Sequence, residues 1–244
     1  MCFVQPPLLT TGLLWERGFA VQEIVLIVVA LAIPVALLAV YLSLRRRIHM
    51  TFWATSRGLR FTASRVDDLD DRLGFRCLKQ GYLRNARNVV EGSWKGRDFV
   101  GFDYHYATRE TGQALAYHRY FSAAAMRCGF PVKPLVIRPK ELHETLSGLP
   151  ALGTVRFELV AFNRSFRVTA ADGRWAYDVL HQRAMDFLLG APRFVIEFGG
   201  FWILATRFDD FDVNDFQDAA DLLQGILDRM PDYLGSQQRD TVPS

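Results

Sequence analysis

The stretch IVLIVVALAIPVALLAVYLSL, Ile24 to Leu44, divides the chain and decides how the rest is read. Its 21 residues carry no charge, and fourteen of them are Ile, Leu or Val. As a helix rising about 1.5 Å per residue it spans about 30 Å, the hydrocarbon thickness of a bilayer. At roughly −0.3 to −0.6 kcal/mol each, the Ile, Leu and Val residues favour insertion by about 4 to 8 kcal/mol. Pro34 removes one backbone hydrogen bond, which membrane helices tolerate with a kink. A cleavable signal peptide fits poorly. The run is long, no basic segment precedes it, and Arg45, Arg46 and Arg47 follow it directly. A buried core helix fits poorly as well, because cores seldom need so long an unbroken apolar run.

The flanks set an expected orientation. Glu16, Arg17 and Glu23 precede the run, while Arg45, Arg46, Arg47 and His49 follow it. The positive-inside rule places the arginines in the cytoplasm and the N-terminus outside. The same three arginines are the expected contacts for anionic lipid headgroups, at roughly 1 kcal/mol each near the surface.

Composition constrains the rest of the chain. There are 244 residues in all, half of them hydrophobic and 23% charged, with a net charge of +3. With 19 Phe, 8 Tyr and 5 Trp the chain can bury a core, which excludes a disordered chain. Cys2, Cys77 and Cys128 lie far apart, so no disulfide framework, zinc ribbon or CxxC redox motif is present. Residues 50–140 hold 16 basic and 8 acidic residues, and residues 141–244 hold 9 and 16. The near-balance of the two halves argues against nucleic acid as a partner. A basic face turned to the inner leaflet is one reading of the asymmetry. Neutralisation between two halves packed in one domain is the simpler one, because the excess is scattered.

Past the arginines the helix should continue to Arg57 and end at Gly58. Short strands are expected at Leu59–Ala63, Asn88–Trp94, Asp98–Tyr106, Tyr117–Met126 and Leu135–Arg138. Lys95-Gly96 should turn a hairpin. Val66–Leu73 and Glu141–Leu146 read as short helices, and Trp175–Leu189 as a longer one with His181 packed on it. Val155–Leu159 and Ser165–Thr169 read as a hairpin about Asn163-Arg164. Arg193–Phe198 and Phe201–Arg207 flank Gly199-Gly200 and read as the clearest hairpin of all. That folding would place Phe194, Ile196, Phe198, Phe201, Ile203 and Ala205 on a core face and Arg193, Glu197, Trp202 and Thr206 on the other. A last amphipathic helix should start at Asp212 or Asn214 and stop at Pro231.

The expected architecture is α+β. One transmembrane helix leads into an antiparallel-sheet domain with two or three packed helices. Its parts are an extracytoplasmic segment 1–23, the membrane helix 24–44, a basic helical extension 45–58, a cytoplasmic domain 59–234 and a loose tail 235–244.

Few residues point to chemistry. Asp103 and His105 share a strand face, and His118 falls on the expected neighbouring strand. Two imidazoles and a carboxylate can hold zinc only where they converge. The expectation is that they do not, with Asp103 meeting Arg119 or solvent and the histidines held apart. Asp210-x-Asp212-x-Asn214, with Asp221 at the twelfth position, has the outline of a calcium loop. It lacks the sixth-position Gly and the twelfth-position Glu. No GxSxG, P-loop or GxGxxG occurs. No catalytic residue, cofactor or metal ligand is therefore assigned.

One pattern is familiar. Phe162-Asn-Arg-Ser-Phe166-Arg-Val168, then Asp172, Ala176, Leu180, Met185 and Leu188, resembles a family of uncharacterised bacterial single-pass membrane proteins. Asn88–Gly92, Phe102-Asp103-Tyr104 and Ala54-x3-Gly58-x2-Phe61 resemble its actinobacterial members. The likeness runs over about residues 55–230, and its motifs are structural. It implies a domain of unknown function and carries over no catalytic residue. The leading expectation is a membrane-anchored cytoplasmic domain, with the bilayer and a protein as its partners. The alternative is a membrane-tethered hydrolase using Asp103, His105 and His118.

Overall fold

The computed structural model describes residues 12–109, 116–142 and 152–239 of the chain. It divides into two compact units, Met1–Ile48 and His49–Ser244.

Helix α1 (Gly12–Ser56) contains the whole uncharged run, with Pro34 inside it. Among the described residues it is the one helix long and apolar enough to cross a membrane. Ile24, Leu31 and Val35 each keep more than half of their surface exposed. Gly58, at φ +70°, ends the helix with the left-handed residue that its position demands.

Among the described residues, the second unit is an α+β domain on an antiparallel sheet of seven strands. They are β1 (Arg60–Thr62), β2 (Tyr82–Trp94), β3 (Arg97–Thr108), β4 (Tyr117–Pro139), β5 (Gly153–Val155), β6 (Phe166–Ala170) and β7 (Val195–Arg207). The order is β1-β2-β3-β4-β6-β5, with β7 also paired to β4. The expected strands Tyr117–Met126 and Leu135–Arg138 are one 23-residue strand, β4. Its first half pairs with β3, from Thr108↔Tyr117 to Phe99↔Met126. Its second half pairs with β6, from Leu135↔Ala170 to Pro139↔Phe166.

The Gly199-Gly200 hairpin does not form. β7 runs straight through both glycines and pairs with β4 from Ser122↔Arg207 to Ile137↔Ile196. A two-residue hairpin needs positive φ at its first loop residue or at both. Here only Gly200 has it, at φ +59°. Gly200 lies opposite Val132, where the β4–β7 register shifts, so the pair accommodates a bulge in a bent ladder. That bulge keeps Phe194, Ile196, Phe198, Ile203 and Ala205 in one core, whereas Phe201, expected beside them, is turned out at the bulge and is 47% exposed.

That core lies against α3 (Val160–Ser165), α4 (Gly173–Val179), α5 (Gln182–Gly190) and α6 (Val213–Leu227). Met50, Trp53 and Ala54, on the last turns of α1, belong to it. The indole of Trp53 lies 5.9 Å from that of Trp94 and 6.4 Å from the Phe216 ring. The other face of the sheet, with Val100, Phe102, Tyr104 and Leu204, is covered by α2 (Leu69–Leu73) and a 3-10 turn, Arg76–Lys79. Two-sided burial is what the sequence pattern does not reveal. Glu197, expected on an open face, is only 4% exposed.

Three further differences are local. Helix α3 replaces the turn expected at Asn163-Arg164, although β5 and β6 do pair. The single helix expected over Trp175–Leu189 is two, α4 and α5, with the break at Leu180 and His181. The stretch from Gly235 is helical as far as Arg239, within α7 (Asp232–Arg239). Most of the helix expected at Glu141–Leu146 lies outside the described residues.

Candidate functional site

The sheet face that packs on α6 continues beyond it. Gly101 lies beneath the Phe216 ring, so closely that an added Cβ would come within 2.6 Å of it. Two residues on, Asp103 sits opposite Ser122. His105 then sits opposite Tyr120, and Ala107 opposite His118. Paired residues share a face, so His105, His118 and Tyr120 stand at the open end of that surface, beside the buried Ser122 and Ala107.

The structure brings two of the three sequence candidates together in a way that was not expected. His105 Nε2 lies 2.8 Å from His118 Nδ1, and the rings are nearly parallel, at 13°. The register makes them diagonal neighbours across β3 and β4, within the reach of two imidazoles. Tyr120 packs on His105 with ring centroids 4.6 Å apart. From the other side, Asn85 Nδ2 lies 3.2 Å from His105 Nδ1 and donates to Leu83 O at 3.0 Å. With Asn85 donating, neutral His105 carries its proton on Nε2 and gives it to His118 Nδ1. Burial first, and the facing His118 second, hold the His105 imidazole below its ordinary pKa.

Asp103 does not meet Arg119. Arg119 is opposite Tyr106, one residue out of phase and therefore on the other face. Asp103 instead accepts from Asn88 Nδ2 at 2.7 Å and from Ser122 Oγ at 2.6 Å. The Ser122 hydroxyl also accepts from the Phe211 amide at 2.9 Å, tying the approach to α6 to the sheet. Asn88 reaches Asp103 because it sits at φ +49°, in a register shift between Arg87 and Val90. A left-handed Asn in a bulge leaves little trace in sequence, which is why Asn85 and Asn88 were missed.

Among the described residues, no three His, Cys, Asp or Glu side chains are arranged to hold a metal ion. The calcium-loop outline has another use. Asp212 caps α6, accepting from the Asp215 amide while Asp215 accepts from the Asp212 amide, both at 2.9 Å. Arg207 joins Asp209 at 2.7 Å and Asp215 at 2.6 Å.

Exposed aromatic and aliphatic surface surrounds the histidine pair. Tyr120 is 62% and Leu83 57% exposed, with Tyr82 also open at the same end of β2, β3 and β4, while Tyr117, opposite Thr108, is exposed on the other face. A second polar pair, Cys77 and Glu197, lies on the opposite side of the sheet and is sealed. Burial pushes the Glu197 carboxyl up to about 7. Burial first and the Glu197 charge next raise the Cys77 thiol well above its ordinary value.

No family model matches the chain, and no curated protein does. A crystal structure of the mycobacterial trehalose monomycolate transport factor A, TtfA, has the same fold. The TM-score is 0.57 at 16% identity, over 76% of this chain and 96% of that one.

Proposed function

We propose that this chain is a membrane-anchored, non-enzymatic domain that holds a protein partner at the membrane through the open end of β2, β3 and β4. One observation carries this reading. Tyr82, Leu83 and Tyr120 stand exposed around the His105–His118 pair, and Asn85 holds His105 from the neighbouring strand. Exposed tyrosines on a rigid strand platform supply large contact area at low entropic cost. The fold of a protein described as a transport factor supports a role in membrane-associated transport or assembly, as an analogy of fold.

In this reading α1 crosses the bilayer with its N-terminus outside. Arg45, Arg46 and Arg47 meet the cytoplasmic headgroups, and the sheet domain is cytoplasmic. A reporter active only in the cytoplasm, fused after Ser244, is then active, and one active only outside is silent. The reverse result inverts the orientation.

The partner surface has its own test. A photo-crosslinking residue at Tyr120 of the full chain in its native membrane gives a discrete heteromeric adduct. The same residue at Tyr177, an exposed tyrosine on α4, does not. Adding Tyr82→Ala and His118→Ala removes the Tyr120 adduct. Equal adducts from both positions, or none from Tyr120, defeat the proposal.

A further inference from the structure

Residues 75–80 lie as a strap across the face of the sheet that carries Val100 and Phe102. A left-handed glycine stands at each end of it, Gly74 at φ +75° and Gly81 at φ +62°. Glycine reaches that conformation without strain, so both ends can act as hinges. Between them Phe75, Cys77 and Leu78 are buried, while Arg76 and Lys79 are exposed.

Few bonds hold the strap down. Its backbone bond, Leu78 N to Phe75 O at 3.2 Å, is internal, and among the described residues no backbone hydrogen bond joins residues 75–80 to a strand. Tyr104 Oη donates to Leu78 O at 2.5 Å. At the surface, Arg84 donates to Lys79 O at 3.3 Å and Lys79 pairs with Asp71 at 3.2 Å. A segment attached by side chains alone can open without the rest of the domain.

Beneath it lies a carboxyl that the closed strap keeps from water. Glu197 is buried, and its Oε2 has no hydrogen-bond partner among the described residues. The residue opposite it on β4 is the apolar Val136. The titratable and charged groups that bear on it, Cys77 and Arg76, both belong to the strap. A carboxylate in this place is poorly solvated, and lifting the strap lets water reach it.

We propose that residues 75–80 are a hinged latch, shut over a neutral Glu197 and released when that carboxyl ionises, which uncovers Cys77. The direction follows from linkage. Under the closed strap Glu197 titrates at about 7, and in water at its ordinary 4.5. The open form therefore gains on the closed form as pH rises from 4.5 to about 7, and the gain is complete above that. Between pH 5 and pH 8 the opening equilibrium should rise about tenfold or more. The latch is distinct from the tyrosine surface and stands or falls independently of it.

The test alkylates the full chain in a neutral detergent with N-ethylmaleimide and reads each cysteine by mass spectrometry. Cys128 is the internal standard, a thiol equally buried but on β4 in the other core. Unfolding of the whole domain exposes both thiols and leaves their ratio unchanged, whereas lifting the strap exposes Cys77 alone. Free thiols react faster as pH rises, and the ratio cancels that common trend.

The Cys77-to-Cys128 ratio should climb about tenfold or more from pH 5 to pH 8 in the parent. It should stay flat in Glu197→Gln, whose amide does not ionise. A flat ratio in the parent, or an equal climb in the variant, overturns the proposal. If Glu197→Gln does not fold, Arg76→Gln decides. Arg76 is exposed, and its charge favours ionised Glu197, so its removal should move the climb to higher pH. A climb that stays where it was overturns the proposal.

Discussion

Lys95-Gly96 and Gly199-Gly200 look alike in sequence and behave differently in the fold. Each pair sits between two apolar, β-rich runs. At the first, both residues take positive φ, +47° and +86°, and the chain reverses with Trp94 opposite Arg97. At the second, only Gly200 is positive, and β7 continues along β4 to Arg207. The lesson is that a glycine pair marks where the backbone needs freedom and leaves the direction of the chain undetermined. Direction is decided by the neighbour. β7 has β4 beside it on both sides of its glycines, and β4 bends between Arg127 and Val132 to match. The ladder bends at this point and the strands stay paired.

The largest expected effect tests whether β7 is one strand with a continuous core side. Ile203 is fully buried and packs in the same cluster as Phe198 and Ile196, across the bulge. Ile203→Ala should destabilise the domain by roughly 2 to 5 kcal/mol, through lost burial and the cavity left behind. Phe201, at the bend, is 47% exposed, and Phe201→Ala should cost far less. Chemical denaturation of the full chain in detergent measures both. Similar costs would mean that Phe201 is packed in the core and that β7 does not turn it out at the bend.

A second test asks what covers the other side of β7 before the bend. Glu197 faces Cys77 in the 3-10 turn, and its Oε2 has no hydrogen-bond partner among the described residues. Burial raises its pKa from 4.5 to about 7. The sign follows from linkage. An unfolded chain ionises this group near pH 4.5, while the folded chain keeps the proton until about pH 7. Stability from this group is therefore greatest below pH 4.5, falls as pH rises to about 7, and is flat above that. The loss is roughly 3 kcal/mol for a shift of this size. Glu197→Gln should remove most of this dependence and leave a protein more stable than the parent at pH 8. Matched melting curves at pH 5 and pH 8 measure it. A parent that gains stability relative to the variant as pH rises would show Glu197 solvated or paired with a cation.

These cases also show where sequence was informative. The α+β class, the apolar helix, the β2–β3 hairpin and the capped start of α6 followed from local signals, such as periodicity, positive φ at Lys95-Gly96 and a capping aspartate. What was not legible depended on partners distant in the chain. Tyr117–Met126 and Leu135–Arg138 merge because β7 bridges them, and Gly129-Phe130-Pro131 between them reads locally as a break. Alternation puts Glu197 outside because it says only that two faces exist, and a 3-10 turn more than a hundred residues away covers the second. The same limit applied to the site. Asp103, His105 and His118 were noticed as residue types. The contact between the histidines came from a β3–β4 register whose connecting segment, 110–115, has no pattern that fixes it.

The smallest effect returns to the two glycine pairs and separates them one residue at a time. At Lys95-Gly96 both positions are left-handed, so Gly96→Ala should cost roughly 1 to 2 kcal/mol although nothing lies within 4 Å of the added methyl. Gly200→Ala should cost the same for the same reason, since it too is left-handed with open space around it. Gly199 is the position where the two pairs part. Its φ is ordinary, and an added Cβ would lie 3.4 Å from the Phe75 ring, close to normal contact. Gly199→Ala should therefore change stability by only a few tenths of a kcal/mol, because strain at φ > 0 is absent. Had these residues formed a hairpin of the kind seen at Lys95-Gly96, alanine at either glycine would be costly. The comparison of Gly199→Ala with Gly200→Ala thus reads the backbone geometry directly from two melting curves, and equal large losses would restore the hairpin.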